Sequence, residues 1–586
     1  MAALAGDLLL SAPPSQETGG INSSTAKEPF MEDLNIVIGG AAGEGIQTIG
    51  EVLAEAISAL GYAVFTWQEN ESRIRGGLNS YSVRVSEKVV NAPLVEADIL
   101  LTLSEPAVAK YGRLLKPEGI LIAPVERDQR TITLSFKDMA EKDLGDAVYA
   151  NAIAVGALTA ALGMDLEVLK KVLARQFAAK GDEVVAANHL AAQKGYDHVQ
   201  VACRDICYWR LPGSSGKYYL IPANRTIPLA AGYAGCRFMA AYPMSPSTEI
   251  ITYLAANEDR FGIFTEQAED EIAAINMAIG ASFAGARAMT ATSGGGFALM
   301  VEGISLAGMV EAPVVIILAQ RPGPATGLPT RTAQGDLLFA VNAGHGEFPK
   351  MVLAPADARD AFYKVVRAFN LADKYQTPVI VLTDQFLHET LVSIESFDLE
   401  REIPASHLAD PANCKEYLRY QLTESGLSPR LYPGQSRHLV AADSDEHDER
   451  GHISEDLGYT APAMVQKRLA KLAGLKQEVN PPETYGVDEA ELVFVAWGST
   501  RQAILEGMEG LRAGGLSTGL IHFTELWPLP TFQFPANKRY WSVEGNATSQ
   551  LARLLRSEYG LEFSGEINRY DGLPLTGEFL RRCFHD

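Results

Sequence analysis

The sequence predicts an α/β protein built from three α/β domains. Two observations carry that expectation. Apolar runs of strand length, among them LNIVIGG from Leu34, APVVIILA from Ala312 and ELVFVAW from Glu491, recur along 586 residues, with helical stretches between them. Several runs are apolar at every position instead of every second one, the pattern of a parallel strand buried on both faces. A hydrophobic content of 47% and a mean hydropathy of +0.00 suffice for several cores. At about 100–200 residues per domain, three or four domains are expected.

The elements follow in order. Residues 1–32, starting MAALAGDLLLSAPPSQETGG, lack the basic start and long apolar core of a signal peptide and read as a disordered leader. The first domain spans 33–212. Its opening, LNIVIGGAAGEGIQTIGEVLAEAISALGYAVFTWQ, reads as strand, glycine-rich turn, helix and strand, a β-α-β unit. DILLTLS and GILIAPV add strands, VYANAIAVGALTAALGMDLEVLKKVLARQF adds helices, and the turn-rich RLPGSSGKYY closes the block. The second domain, 222–395, alternates helices with the strands RFMAAYP, RAMTATS, APVVIILA and TPVIVLTD. Residues 396–485, rich in His, Asp and Pro, are expected to be an irregular connector with one basic helix, APAMVQKRLAKLAGL. The third domain, 486–586, opens with ELVFVAWGSTRQAILEGMEGLRAGG and runs through STGLIHF and RYWSVEGN.

Charge and cysteines narrow the function classes. A formal charge of -22 and a pI near 5.0 disfavour nucleic acid as a partner, since binding there requires a basic footprint. No run of about 18 apolar residues occurs, so a cytoplasmic protein is expected. Cys203 and Cys207 form one C-x3-C pair while Cys236, Cys414 and Cys583 stand alone, too scattered for a disulfide framework or a cluster site. All five are expected to be reduced. DSDEHDERGHISED places His447 and His452 among carboxylates at a spacing that fits no standard zinc pattern, and reads as an acidic, solvated loop with no metal.

The second domain holds the residues with chemistry. In AYPMSPSTEI, Pro243 and Pro246 stiffen the backbone around Met244 and Ser245 at the carboxyl end of a strand, where open α/β sheets bind ligands. Ser245 is either a displayed hydroxyl or, with Ser247, a cap for the helix that follows. Glu266, Glu269, Asp270 and Glu271 crowd a helix start. Among them Glu271 shares the face of Ala274, Ile275, Ala278 and Ser282, so its carboxylate is either drawn inside or held in a capping role. Gly294, Gly295 and Gly296 permit close approach to the backbone. QRPGPATGLPTRTAQGD, after a buried strand, carries Arg321, Thr330 and Arg331; Arg321 is placed either to grip a carboxylate or to pair at the sheet edge.

Taken together, YPMSPSTEI, EDEIAAINMAIGASFAGARAMTATSGGG and QRPGPATGLPTRTAQGD resemble the α subunit of thiamine-dependent 2-oxoacid:ferredoxin oxidoreductases. GGAAGEGIQTIG and ESRIRGGLNSYSVRVS resemble that family's γ domain, and DEHDERGHISED and WGSTRQAILEG resemble later α-subunit signatures, in a fused γ-α order. The resemblance implies a γ domain over 33–212, a pyrimidine-binding domain of the thiamine-enzyme type over 222–395, and a transketolase C-terminal-like domain over 486–586. It implies that Glu271 is the catalytic glutamate on the aminopyrimidine N1' of thiamine diphosphate, whose C2 proton must be removed. By the same resemblance Arg321 binds the substrate carboxylate, Ser245 offers its hydroxyl to substrate or cofactor, Thr330 is a second polar contact, and Pro243 shapes the thiamine site. The implied reaction is coenzyme A-dependent oxidative decarboxylation of a 2-oxoacid, with ferredoxin as electron acceptor. 2-Oxoglutarate is the first choice, ahead of pyruvate and branched-chain acids. Two departures stand out: Gly295 where the family commonly has proline, and NATSQL from Asn546 where a glycine more usually precedes the glutamine.

The Gly-Asp-Gly motif with which thiamine enzymes hold Mg2+ and the diphosphate does not occur in the sequence, nor do cluster cysteines. The resemblance therefore implies a β subunit that carries Mg2+ and a 4Fe-4S cluster, in an (αβ)2 assembly. Two other readings compete. GGAAGEGIQTIG follows a strand like a dinucleotide fingerprint, with Glu69 near a ribose-binding position, but Thr48 stands where the last glycine should fall. A non-catalytic scaffold is disfavoured by the presence of Glu271 and Arg321.

Overall fold

The computed structural model describes residues 33–72, 77–204, 206–414 and 416–584; the expected leader lies outside them. The chain divides into two compact units. One holds the residues up to Ile221 together with Thr390–Ser396, and the other holds Pro222–Glu389 and Phe397 onward.

In the first unit the described strands form an eight-stranded sheet. Leu34–Ala41 lies at its middle, parallel to Ala97–Thr102 on one side and antiparallel to Leu78–Ser86 on the other. The β-α-β elements are Leu34–Ala41, helix Ile46–Ala59 and Ala63–Glu69. Leu78–Ser86 pairs antiparallel with both strands and lies between them in the sheet. Buried Tyr81, Val83 and Val85 at every second position were the signal for this strand. Val392–Ile394, from the far end of the second predicted block, pairs with Ala63–Glu69 and Tyr219–Ile221 in this same sheet.

Helix Asp182–Ala202 ends at a further correction. Cys203 and Cys207 form a disulfide, with their Cα atoms 4.8 Å apart. Four residues make about one helical turn, so the turn that closes the helix brings both thiols to one side. Cys236, Cys414 and Cys583 are free.

In the second unit a seven-stranded sheet runs Glu525–Trp527, Met351–Leu353, Pro378–Asp384, Val314–Gln320, Arg287–Thr292, Cys236–Ala241, Phe264–Gln267. All these pairings are parallel except that of the outermost Glu525–Trp527. Every residue of Val314–Gln320 and Pro378–Asp384 is buried, as continuous apolar runs require. A five-stranded sheet, Glu483–Tyr485, Thr518–Phe523, Leu492–Trp497, Arg539–Glu544, Gly565–Asn568, occupies the carboxyl-terminal region.

The predicted basic helix of the connector is Thr460–Glu478, yet Lys467, Arg468 and Lys471 on it are buried. Lys467 and Lys471 meet the buried Glu311 at 2.6 and 2.5 Å, and Arg468 pairs with Glu446. The acidic loop is also less solvated than expected. His447 is fully buried: its ring tilts against that of Tyr420, its backbone bridges to Ile453, and its Nδ1 lies 2.9 Å from the Asp445 carbonyl. Among the described residues no group of three His, Cys, Asp or Glu side chains could hold a metal, and no helix is long and apolar enough to cross a membrane.

Candidate active site

Three neighbouring parallel strands, Cys236–Ala241, Arg287–Thr292 and Val314–Gln320, end at the same edge of the seven-stranded sheet. Their continuations are the proline loop 242–247, the glycine turn 293–296 and the loop that starts at Arg321. Parallel pairing brings these three segments together although up to about 80 residues separate them in sequence.

Glu271 is the first residue of helix Glu271–Phe283, and Asp270 is its cap: the Ala273 N–H donates to Asp270 Oδ1 at 2.8 Å. Capping is thus done by the neighbour, and Glu271 is free for another role. Ala274, Ile275, Ala278 and Ser282 are buried on its face, as the spacing predicted, and Glu271 is itself only 3% exposed. Its Oε1 is buried without a hydrogen-bond partner. Burial pushes its carboxyl above the usual carboxylate range, and the charge of Asp270 adds to this. Glu266 does not belong to the helix start; it lies in the strand Phe264–Gln267.

The glycine turn leaves room for this carboxylate. A side chain at Gly296 would overlap both the Thr292 hydroxyl and Glu271, and one at Gly294 would lie 2.8 Å from Asp336 Oδ2. Around that turn Ser293 Oγ and Asp336 Oδ2 are, like Glu271 Oε1, buried with no partner. Burial raises Asp336 to about 6. A buried acceptor with no partner fits a ring nitrogen that shares a proton with it, and of the three glycines Gly295 is the one where a side chain would meet nothing within 4 Å. The aminopyrimidine of thiamine therefore fits the residues present.

Arg321 Nη1 donates to the Ser245 carbonyl at 2.9 Å, so the structure brings these two predicted residues together. Ser245 is exposed, with Pro243 and Arg321 half-buried beside it. Ser247 does not cap with its side chain; its hydroxyl donates to the Met244 carbonyl at 2.7 Å and folds the loop on itself. Thr330 is half-buried further along the loop from Arg321. Sequence reasoning missed Ser293 and Asp336: the triple glycine signalled a close approach, but nothing local marks a polar atom that will lose its partners.

In the first unit the glycine-rich turn is occupied by its own acid. Glu44 Oε2 accepts from the Ala41 N–H at 2.7 Å, and Lys137 pairs with its other oxygen at 2.7 Å. A carboxylate on that backbone N–H opposes a dinucleotide phosphate there. Between its helices lies a cavity of about 300 Å³ with Val52, Val155, Leu173 and Phe177 in its walls.

Comparison with known proteins gives a consistent result. A family model described as "Pyruvate flavodoxin/ferredoxin oxidoreductase, thiamine diP-bdg" matches residues 229–467, and one described as "Pyruvate ferredoxin/flavodoxin oxidoreductase" matches residues 35–198. The 2-oxoacid:ferredoxin oxidoreductase subunit alpha of a Sulfolobus species is 31% identical across 94% of this chain and 96% of its own length. The 2-oxoglutarate synthase subunit KorA of Archaeoglobus fulgidus is 36% identical over 53% of this chain and 82% of its own length. A solved 2-oxoglutarate:ferredoxin oxidoreductase from Magnetococcus marinus, with 2-oxoglutarate, coenzyme A and succinyl-CoA bound, superposes with a TM-score of 0.88 at 31% identity, covering 95% of this chain and 99% of that one.

Proposed function

Because the chain belongs to the 2-oxoacid:ferredoxin oxidoreductase family as an α subunit, we propose that it holds the aminopyrimidine half of a thiamine diphosphate site. In this reading it acts with a β subunit in coenzyme A-dependent oxidative decarboxylation of a 2-oxoacid, giving acyl-CoA and CO2 with reduction of ferredoxin. The observation that carries this is Glu271 Oε1, buried without a partner beside side-chain-free backbone at Gly296. When bound, thiamine supplies a carbon nucleophile once its C2 proton is lost.

The roles of this chain's residues follow from their surroundings. A carboxyl with a raised proton affinity holds a proton at the pyrimidine N1' more readily than an exposed one, which suits Glu271. Arg321, anchored on the Ser245 carbonyl, keeps further guanidinium N–H groups for a substrate carboxylate. The Ser245 hydroxyl and Thr330 supply polar contacts, and Pro243 shapes the thiamine side of the loop. Mg2+, the diphosphate and a 4Fe-4S cluster are assigned to the β subunit, in an (αβ)2 assembly that passes electrons to ferredoxin. 2-Oxoglutarate is the favoured substrate, supported by the names of the Archaeoglobus and Magnetococcus proteins.

The test is reduction of a viologen dye by the reconstituted αβ complex with coenzyme A and a panel of 2-oxoacids. The highest kcat/KM is expected for 2-oxoglutarate, and no turnover by this chain alone. Preference for pyruvate or a branched-chain acid would overturn the substrate assignment, and a thiamine-loaded, active single chain would overturn the partnership.

A further inference from the structure

The loop that begins at Arg321 is fixed at its start by the strand Val314–Gln320. Its later part, beyond Thr330, has no strand of its own. Residues from the carboxyl-terminal region hold it instead. Gln334, 3% exposed, exchanges two hydrogen bonds with Gly545: its backbone N–H donates to the Gly545 carbonyl at 2.8 Å, and the Gly545 N–H donates to its Oε1 at 2.9 Å. Its Nε2 donates to the Trp497 carbonyl at 2.9 Å, and Asn546 Nδ2 donates to the Gln334 carbonyl at 3.1 Å. One residue on, Gln550 Nε2 donates to the Gly335 carbonyl at 2.6 Å while its Oε1 accepts from the Leu338 N–H at 2.9 Å. That N–H is in the first turn of helix Leu337–Asn342 and has no partner within the helix. Nearer the substrate side, the Thr332 N–H donates to the Gly572 carbonyl at 3.2 Å, and a side chain at Gly572 would crowd Arg331.

Gln334 and Gln550 each use donor and acceptor together, a pairing that no apolar residue of the same size can replace. The Gln334 amide ties its own position to the Trp497 carbonyl and the Gly545 N–H, the Gln550 amide holds the Gly335 carbonyl and the Leu338 N–H, and both thereby fix the segment that follows Thr330. We propose that Gln334 and Gln550 are positioning residues for 2-oxoacid binding, through which the carboxyl-terminal region sets the Thr330 end of the substrate loop. This rests on the 2-oxoacid reading of the site. It also gives the glutamine of NATSQL a function: Asn546 and Gln550 bracket the loop from a single turn. A loop released from these bonds must be ordered by the substrate itself, which weakens ground state and transition state alike and so raises KM with little change in kcat.

The experiment uses the reconstituted αβ complex with Gln550→Ala, Gln550→Glu and Arg553→Ala, the last on an exposed position of the same helix Gln550–Tyr559. Dye-coupled turnover gives kcat and KM for the 2-oxoacid, and C2 hydrogen–deuterium exchange of bound thiamine reports cofactor activation separately. In Gln550→Ala the KM is expected to rise about 3- to 10-fold, the scale of one or two lost hydrogen bonds, with kcat within about 2-fold and exchange unchanged. Gln550→Glu keeps the acceptor for Leu338 but turns a carboxylate oxygen on the Gly335 carbonyl, so its KM should rise at least as much as in Gln550→Ala, and Arg553→Ala should match the wild type. An unchanged KM in Gln550→Ala, a loss confined to kcat, or an equal effect of Arg553→Ala would overturn the proposal. If the wild-type complex turned over no 2-oxoacid at all, the underlying reading would fail, a result distinct from any of these.

Discussion

Gly296→Ala adds one methyl group and tests the site directly. Gly296 lies in the short helix Gly294–Leu299 with a backbone that any L-residue can adopt, and alanine is the better helix former by about 1 kcal/mol. Local propensity alone would make the change stabilising. Packing opposes it, because the new Cβ would overlap the Thr292 hydroxyl and stand 2.7 Å from Glu271 Cδ, where ordinary contact begins at 3.4 Å. Thr292 is held in a buried strand, so the Glu271 carboxylate, whose Oε1 would lie 2.3 Å from the new Cβ, must retreat by about 1 Å. A displacement approaching 1 Å at a reacting group costs on the order of 10- to 100-fold in rate. Measured in the αβ complex, kcat should fall by that factor for every 2-oxoacid, and C2 hydrogen–deuterium exchange of bound thiamine should slow in parallel. Thermal stability should fall as well, because relieving the overlap with the Thr292 hydroxyl costs about 1–3 kcal/mol, more than the helix propensity returns. Wild-type exchange and kcat in a well-folded Gly296→Ala complex would show that Glu271 is not the group acting on the cofactor.

Other outcomes follow from the same geometry. Arg321→Ala should lower kcat/KM by about 30- to 900-fold, since a charge-assisted bond to a desolvated carboxylate contributes about 2–4 kcal/mol; unchanged kinetics would move carboxylate binding to Arg331 or to the β subunit. Ser245→Thr keeps the hydroxyl and adds a methyl, so relative kcat/KM among 2-oxoacids should shift by an amount within about 1–3 kcal/mol while C2 exchange stays normal; a uniform loss across acids would contradict a selectivity role. At Glu311 burial alone would raise the carboxyl, but Lys471, Lys467 and Arg419 outweigh it and hold the group at about 2, below its ordinary 4.5. The folded state then binds fewer protons than the unfolded one, so this contribution is complete above about pH 4.5 and fades as the pH falls toward 2. Glu311→Gln should lose about 3–5 kcal/mol at neutral pH by leaving two buried lysines without their carboxylate, and should flatten the acid limb of the urea-midpoint profile; an unaltered acid limb would refute the pairing.

Much of the molecule was legible in the sequence because the signals are local. Runs such as Val314–Leu318 and Val379–Leu382 are apolar at every position, the pattern of a strand covered on both faces. The spacing of Ala274, Ile275, Ala278 and Ser282 marked one apolar helical face that Glu271 shares, leaving its burial or capping open, and the prolines around Ser245 marked a stiff loop at a strand end. Tertiary structure decided what depends on partners distant in the chain. Leu78–Ser86 came between Leu34–Ala41 and Ala63–Glu69, where a strand on each side pairs its backbone N–H and C=O groups. Lys467 and Lys471 read as a wet basic face and are buried, because Glu311, about 150 residues earlier, supplies the countercharge. A helix turn brought Cys203 and Cys207 into bonding range, which composition had argued against. The unpartnered oxygens of Glu271, Ser293 and Asp336, and the amides of Gln334 and Gln550 that reach across to other segments, are likewise beyond any local pattern. Whether a polar atom keeps or loses its partners is fixed only when parallel strands bring distant loops to one edge, so the sequence determined which residues could react and the packing determined which of them meet.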